Sequence, residues 1–266
     1  MSEAPHPASQ RVQAFQGEAV AHVVACEKLC AAIGLTAGTN VLDLACTSGH
    51  TALAAGRRRA IVTAVDANEA LLSRARRLAE IEGLGDISFI AADPLATPFE
   101  DGAFDVVLSA FGLVFVRDQE AAARQLARLV RPGGTIALIS HVRKSVPSSI
   151  YDFFHDFLPI RNGPANAHYE WSDGPRAAEL LAPHFEAIRI ERDHYDTCFA
   201  SVEACYDHLV AHHPAIGPAL AGMDEARVSA FREGYLAIVS AHNKATNGSL
   251  MAGVDYAVIT ARRALL

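Results

Sequence analysis

The sequence predicts a doubly wound α/β fold with a mostly parallel, seven-stranded sheet, a leading helix and a helical insertion. Three observations carry this. Residues 39–66, TNVLDLACTSGHTALAAGRRRAIVTAVD, read as strand, tight turn, helix and second strand, each strand ending near an acidic residue. Strand-like apolar runs then alternate with helical stretches through residue 142, which implies a parallel sheet with right-handed crossovers. The turn of the first unit lies at the carboxyl ends of its strands, where open α/β sheets bind ligands.

Residues 1–9 are polar and Pro-bearing and are expected to be flexible. From 10 to 34 apolar residues recur near helical period at Val12, Phe15, Val20, Val23, Val24, Leu29 and Ile33, and Gly34 ends the helix. Residues 35–142 form the core. Its expected elements are Val41–Leu44, a helix His50–Arg57, Ile61–Asp66, a helix Asn68–Ile81, Ile87–Asp93, Phe104–Ser109, a helix Gln119–Val130 and Thr135–His141. Residues 143–184 break the pattern. Pro147, Pro159, Pro164 and Pro175 punctuate a run of aromatics, which suggests a lid or acceptor wall, with a packed loop as the plainer reading. Residues 185–266 complete the sheet with Phe185–Arg192 and Val254–Arg262, separated by a helical insertion over 200–248.

The first turn separates two ligand classes. A dinucleotide fold needs G-x-G-x-x-G, which is absent. What stands here is Asp43-Leu-Ala45-Cys46-Thr47-Ser-Gly49, then Asp66 ending strand two and Asp93 ending strand three. Thr97-Pro98-Phe99, Phe104-Asp105-Val-Val and Arg131-Pro-Gly-Gly134 follow in order. Together these resemble the class I S-adenosylmethionine-dependent methyltransferases, whose first motif is (D/E)-x-(G/A)-x-G-x-G. The similarity is greatest to the UbiE-like small-molecule branch, which also has a turn similar to His242–Gly248. The resemblance implies S-adenosylmethionine as cofactor. Asp43, Ala45, Cys46, Thr47 and Gly49 would face its methionine part. Asp66 would hold the ribose and Asp93 the adenine, flanked by Leu71 and Pro94, with Ala67 and Ala92 also facing the cofactor; Ser109 and Phe111 would border the methyl end.

One residue departs from the motif. Thr47 replaces a glycine, and its β-branched side chain suits positive φ poorly. This motivates a second reading, in which the fold carries non-methylating chemistry such as cyclisation, isomerisation or decarboxylation, with the cofactor structural or lost.

Methyl transfer from a sulfonium needs alignment more than covalent help. A base is required only for an acidic acceptor proton. His141, ending strand five at the same sheet edge, is the candidate. His168, Tyr169 and Trp171 are the candidate acceptor-stacking residues, alongside Phe111. His208, His212 and His213 have helical spacing but no H-E-x-x-H acid, so no metal site is expected. Cys26 and Cys30 share a helix face and read as small core residues.

With a net charge of -7 and no long basic run, the chain lacks the footprint of a nucleic-acid binder. Arg57–Arg59 is the one dense basic triplet, at a helix end where cations face the dipole. No apolar stretch approaches the ~20 residues that span a bilayer. Five cysteines without framework spacing fit a reducing compartment. The sequence therefore points to a cytoplasmic protein acting on a small, partly apolar molecule without membrane or nucleic-acid partners, and compatible with a homodimer.

Overall fold

The computed structural model describes residues 16–158, 167–213 and 216–265. The predicted flexible segment 1–9 and the first residues of the leading helix lie outside them. The described part divides into two compact units. One comprises residues 22–143, 167–193 and 256–265 and holds most of the sheet; the other comprises 16–21, 144–158 and 194–255 and is mainly helical.

The elements run α1 (Gln16–Ala32), β1 (Asn40–Leu44), α2 (His50–Arg57), β2 (Ile61–Asp66), α3 (Glu69–Ile81), β3 (Ile87–Ala91) and β4 (Phe104–Ala110). After a 3₁₀ turn (Leu113–Phe115) come α4 (Gln119–Leu129), β5 (Val130–His141) and α5 (Val146–Phe157). A second 3₁₀ segment (Ala167–Ser172) leads to α6 (Gly174–Leu181) and β6 (Phe185–Phe199). The chain closes with α7 (Val202–His212), α8 (Ile216–Ala221), α9 (Glu225–Ala241) and β7 (Leu250–Arg263). The sheet order is β3-β2-β1-β4-β5-β7-β6, and β7 runs antiparallel to β5. Strand order thus reverses between β1 and β4, placing a switch point beside the first turn.

The central strands β1 and β4 are buried almost throughout, which is why they read as unbroken apolar runs. Four elements differ from expectation for identifiable reasons. β5 starts at Val130 because the Arg131–Gly134 stretch forms an irregularity within the β4–β5 ladder. Arg131 there donates to Asp105, whose other oxygen accepts the Asn40 amide. β6 continues seven residues beyond Arg192, because a half-exposed edge strand tolerates the charges that look like a strand end. Pro147 and Pro175, read as punctuation, instead occupy the first turns of α5 and α6. Ser145 caps α5 in a capping box with Ser148, and Asp173 caps α6.

The 143–184 segment is thus two structures. Residues 144–158 belong to the helical unit, where Phe154 packs with Phe231 and Tyr235 of α9. Residues 167–184 belong to the sheet unit. Trp171 is fully buried in that unit's core among Leu180, Leu181 and Phe185. Its indole N–H donates to Gln119 Oε1, while Gln119 Nε2 donates to the carbonyls of Val114 and Val116. The bidding for Trp171 is settled by area: a large apolar side chain with one satisfied polar atom belongs inside.

α1 buries Ala25, Cys26, Leu29 and Cys30, so the cysteines form its packing face and Val24 is exposed. Arg57 binds Glu27 and Glu82, and Arg58 binds Glu27. Arg57 and Arg58 therefore serve as ion-pair partners between helices, while Arg59 is exposed.

Candidate donor-binding site

The turn after β1 alternates between ordinary and left-handed backbone. Ala45 has φ 56°, Thr47 φ 51° and Gly49 φ 79°. These are the three positions at which the motif places glycine or alanine, so Thr47 keeps the motif's conformation and bears the strain. Hydrogen bonds over-determine the shape: Cys46 N–H donates to Val65 O at 2.9 Å, and Gly49 N–H to Cys46 O at 2.8 Å. Asp66 closes the loop, accepting from Thr47 N–H at 2.9 Å and from Asn68 N–H at 2.8 Å.

Two glycines are demanded by contact. A Cβ on Gly49 would lie 2.5 Å from the Cβ of Ala75 on α3. One on Gly112 would lie 1.9 Å from Ala45 O. The segment after β4 therefore presses directly on the first turn.

The register Asp66↔Ala91 sets the ends of β2 and β3 side by side. Ala67, Leu71, Ala92, Asp93 and Pro94 all follow these two strand ends and are exposed or half-buried. Asp93 accepts the Leu95 amide at 2.8 Å, which fixes the turn. Ser109 is buried, and its Oγ accepts the Leu113 amide, so it holds the 3₁₀ turn after β4. Phe111, left-handed at φ 57°, is stacked on His22 at 4.4 Å between ring centroids. His141 lies against it at 4.8 Å and edge-on to Phe115 at 5.9 Å.

A family model described as a methyltransferase domain matches residues 42–138. An uncharacterized protein of Mycobacterium tuberculosis is 43% identical over 112 residues, covering 42% of this chain and 40% of that protein. The chain thus spans about two fifths of that relative's length. The ubiquinone/menaquinone biosynthesis C-methyltransferase UbiE of Pseudomonas putida is 31% identical over 193 residues, covering 69% of this chain and 71% of that protein. The chain belongs to the class I S-adenosylmethionine-dependent methyltransferases, in their UbiE-like branch. Among solved structures, the [4+2]-cyclase SpnF aligns over 92% of this chain and 82% of its own with a TM-score of 0.56, at 20% identity, a likeness of fold.

Within this methyltransferase framework the candidate residues separate. Asp43, Ala45, Cys46, Thr47 and Gly49 form one continuous stretch onto which Asp66, at the end of β2, closes; Phe111 and His141 adjoin one another at the ends of β4 and β5. Tyr169 is buried with the guanidinium of Arg143, two residues after His141, 4.2 Å over its ring, whereas Trp171 is core. The side chains of His168 and His212 lie outside the described residues. His213 is half-buried beside Phe154 with its pKa drawn down to about 4 by desolvation, and no metal-binding group occurs among the described residues. No described helix is long and apolar enough to cross a membrane.

Four residues absent from the sequence reading adjoin the site or its neighbours. His22 is half-buried, and its pKa is drawn down to about 4, first by desolvation and then by His50. Tyr256, Cα partner of His141 across β5 and β7, donates its phenol to Asp193 at 2.9 Å, and Lys28 binds the same carboxylate oxygen. Neither His22 nor Tyr256 stands in a motif, so only the packing reveals them.

Burial governs the acid–base character. Cys46 is buried and its thiol pushed well up, so it is no thiolate nucleophile. The Asp43 carboxyl is fully buried, and neither oxygen completes a hydrogen bond. Desolvation pushes it up to about 8; the Ala52 amide tempers this without reaching bonding geometry, and the Asp66 charge adds to it. The unfolded group titrates near ~3.9. Between these values the folded chain holds a proton that the unfolded chain has lost, so Asp43's contribution to stability falls as pH rises through that window. Melting temperatures of the ligand-free protein should fall from pH ~5 to ~8, and Asp43→Asn should flatten the slope. A slope unchanged in the variant would assign it to another group.

Proposed function

We propose that the protein transfers the methyl group of S-adenosylmethionine to an oxygen, carbon or nitrogen of a small, partly apolar acceptor. The observation that carries this is the left-handed alternation at Ala45, Thr47 and Gly49, closed onto Asp66 despite the loss of a glycine. Strain of that kind persists where surrounding structure insists on it, and here it preserves a ligand cradle. The orphaned carboxyl of Asp43 under the turn fits a group that brings a hydrogen-bond donor or a cation.

In this reading Asp66 accepts from the ribose hydroxyls, Leu71 and Pro94 flank the adenine with Ala67, Ala92 and Asp93 at its edge, and the Asp43–Gly49 turn receives the methionine part. The cofactor, when bound, supplies a methyl already activated on sulfur. The chain's own task is alignment and exclusion of water at the ends of β4 and β5. Phe111 provides an apolar surface there, and His141 takes the acceptor's proton where the acceptor carries one.

A second reading keeps the fold and replaces the chemistry by cyclisation, isomerisation or decarboxylation. The strained Thr47 favours it. Calorimetric titration with S-adenosylmethionine and S-adenosylhomocysteine, then mass spectrometry of the product, separates the two. Micromolar binding with a mass gain of one methyl supports transfer; no binding to folded protein removes it.

Thr47→Gly is informative under both. Relief of a left-handed non-glycine residue is worth ~1–3 kcal/mol, against ~0.5–1 kcal/mol for glycine's extra unfolded-state entropy. Urea unfolding should give a variant more stable by ~1 kcal/mol. A variant less stable than wild type would mean that the threonine side chain makes compensating contacts.

A further inference from the structure

Beside the donor turn lie three buried nitrogens that bond to nothing: Nε and Nη1 of Arg74 and Nε2 of His50. Arg74 is on the second turn of α3 and only 8% exposed; His50 is the first residue of α2. The two helices touch at this level, where the Gly49 Cα abuts Ala75. We propose that Arg74 and His50, with the amino end of α2, form a carboxylate-binding subsite.

Guanidinium nitrogens buried without an acceptor are costly in a folded chain. Desolvation draws the pKa of Arg74 down, and no carboxylate of the described residues acts to restore it. Asp43 lies near the same helix end, but its neighbours are the Ala52 amide and Asp66. His50 is drawn down to about 4 by burial and then by the charges of Arg74 and Arg57, with Glu82 acting weakly in the opposite sense, so the imidazole and the Arg74 guanidinium share one neighbourhood. The first turn of α2 carries no acidic residue, and its cap, Gly49, offers no side-chain acceptor. Nε and Nη1 of Arg74 and Nε2 of His50 are thus donors to which no acceptor of the described residues bonds.

Water could satisfy one nitrogen but would leave the charge. A carboxylate answers both needs: two oxygens match the guanidinium fork, and the imidazole donates from Nε2 in the matching tautomer. The helix end adds amide donors and a favourable dipole. The carboxylate could belong to the methionine part of the donor or to the acceptor; only the first rests on the donor reading above.

The test compares S-adenosylhomocysteine with 5′-methylthioadenosine, which shares the nucleoside but lacks the amino-acid part, on wild type and Arg74→Met. Ligand-free Arg74→Met should melt no lower than wild type, because the charge it removes has no partner. If the donor supplies the carboxylate, the variant weakens S-adenosylhomocysteine about tenfold or more and leaves 5′-methylthioadenosine unchanged. If the acceptor supplies it, both titrations stay unchanged, while propionate raises the melting temperature of wild type and not of Arg74→Met. His50→Phe, which keeps the ring and loses the donor, should show the same pattern more weakly and serves if Arg74→Met does not fold. Wild type binding neither nucleoside would sink the donor reading, and propionate would still decide the subsite. Identical responses of wild type and both variants to all three probes overturn it.

Discussion

Asp66→Asn should lower affinity for S-adenosylhomocysteine by about 100-fold while the chain stays folded. The carboxylate has two duties, and the substitution divides them. Its oxygens accept the amides of Thr47 and Asn68, which closes the donor turn. In the proposed complex the same oxygens also accept from the ribose hydroxyls. Asparagine keeps one acceptor and turns a donor toward a group that also donates, so one backbone amide loses its partner. A hydrogen bond to a charged group is worth ~1.5–3 kcal/mol, and a donor left facing a donor adds its desolvation, which together reach the 100-fold range. The folding cost is smaller, about 1 kcal/mol, because the turn keeps its other bonds. Calorimetry and urea unfolding on the same preparation measure both. Affinity unchanged in a folded variant would remove Asp66 from the ribose and with it the main support for the donor pose.

How far the sequence announced this site differs from residue to residue. Asp43, Gly49 and Asp66 were legible because a strand end, a tight turn and an acidic residue at fixed spacing leave few alternatives. The sheet was legible for a related reason: β1, β2 and β4 are short apolar runs bounded by turn residues. The aromatic segment was legible only in part. Trp171 sits among prolines and glycines and so reads as a lid residue, yet proline in a first helical turn starts a helix, and the indole finds its partner 52 residues away in Gln119. His22, Tyr256 and Arg74 were invisible for the opposite reason. A histidine in a mixed helix, a tyrosine in a late strand and an arginine in a basic helix are each unremarkable locally. Their significance arises from contacts with Phe111 and Asp193 and from the electrostatic influence of Arg74 on His50, which no short window contains.

Gly112→Ala should be the most damaging single methyl group in the sheet unit, abolishing measurable donor binding and destabilising the fold by ~3 kcal/mol or more. Conformation is not the reason, since Gly112 has φ -93°, open to any residue. The reason is contact: the new Cβ would stand 1.9 Å from Ala45 O and 2.9 Å from Ala45 C. Neither side can give way. Ala45 O belongs to the left-handed step of the donor turn, whose next amide is bonded to Val65 O. Across the contact, Phe111 N–H is bonded to Ile139 O and Leu113 N–H to Ser109 Oγ. Relief therefore requires breaking one of these bonds and shifting either the turn that would hold the methionine part or the Phe111–His141 wall. Gly85→Ala is the matched control, because its Cβ meets nothing within 4 Å and its φ is ordinary. It should be neutral or stabilising by ~0.4–1 kcal/mol through the unfolded chain alone. Calorimetric melts and titration with S-adenosylhomocysteine compare the pair. A Gly112→Ala protein that melts and binds like Gly85→Ala would show that the turn and the segment after β4 move apart freely, and a preformed donor cradle would then be the wrong description of this fold.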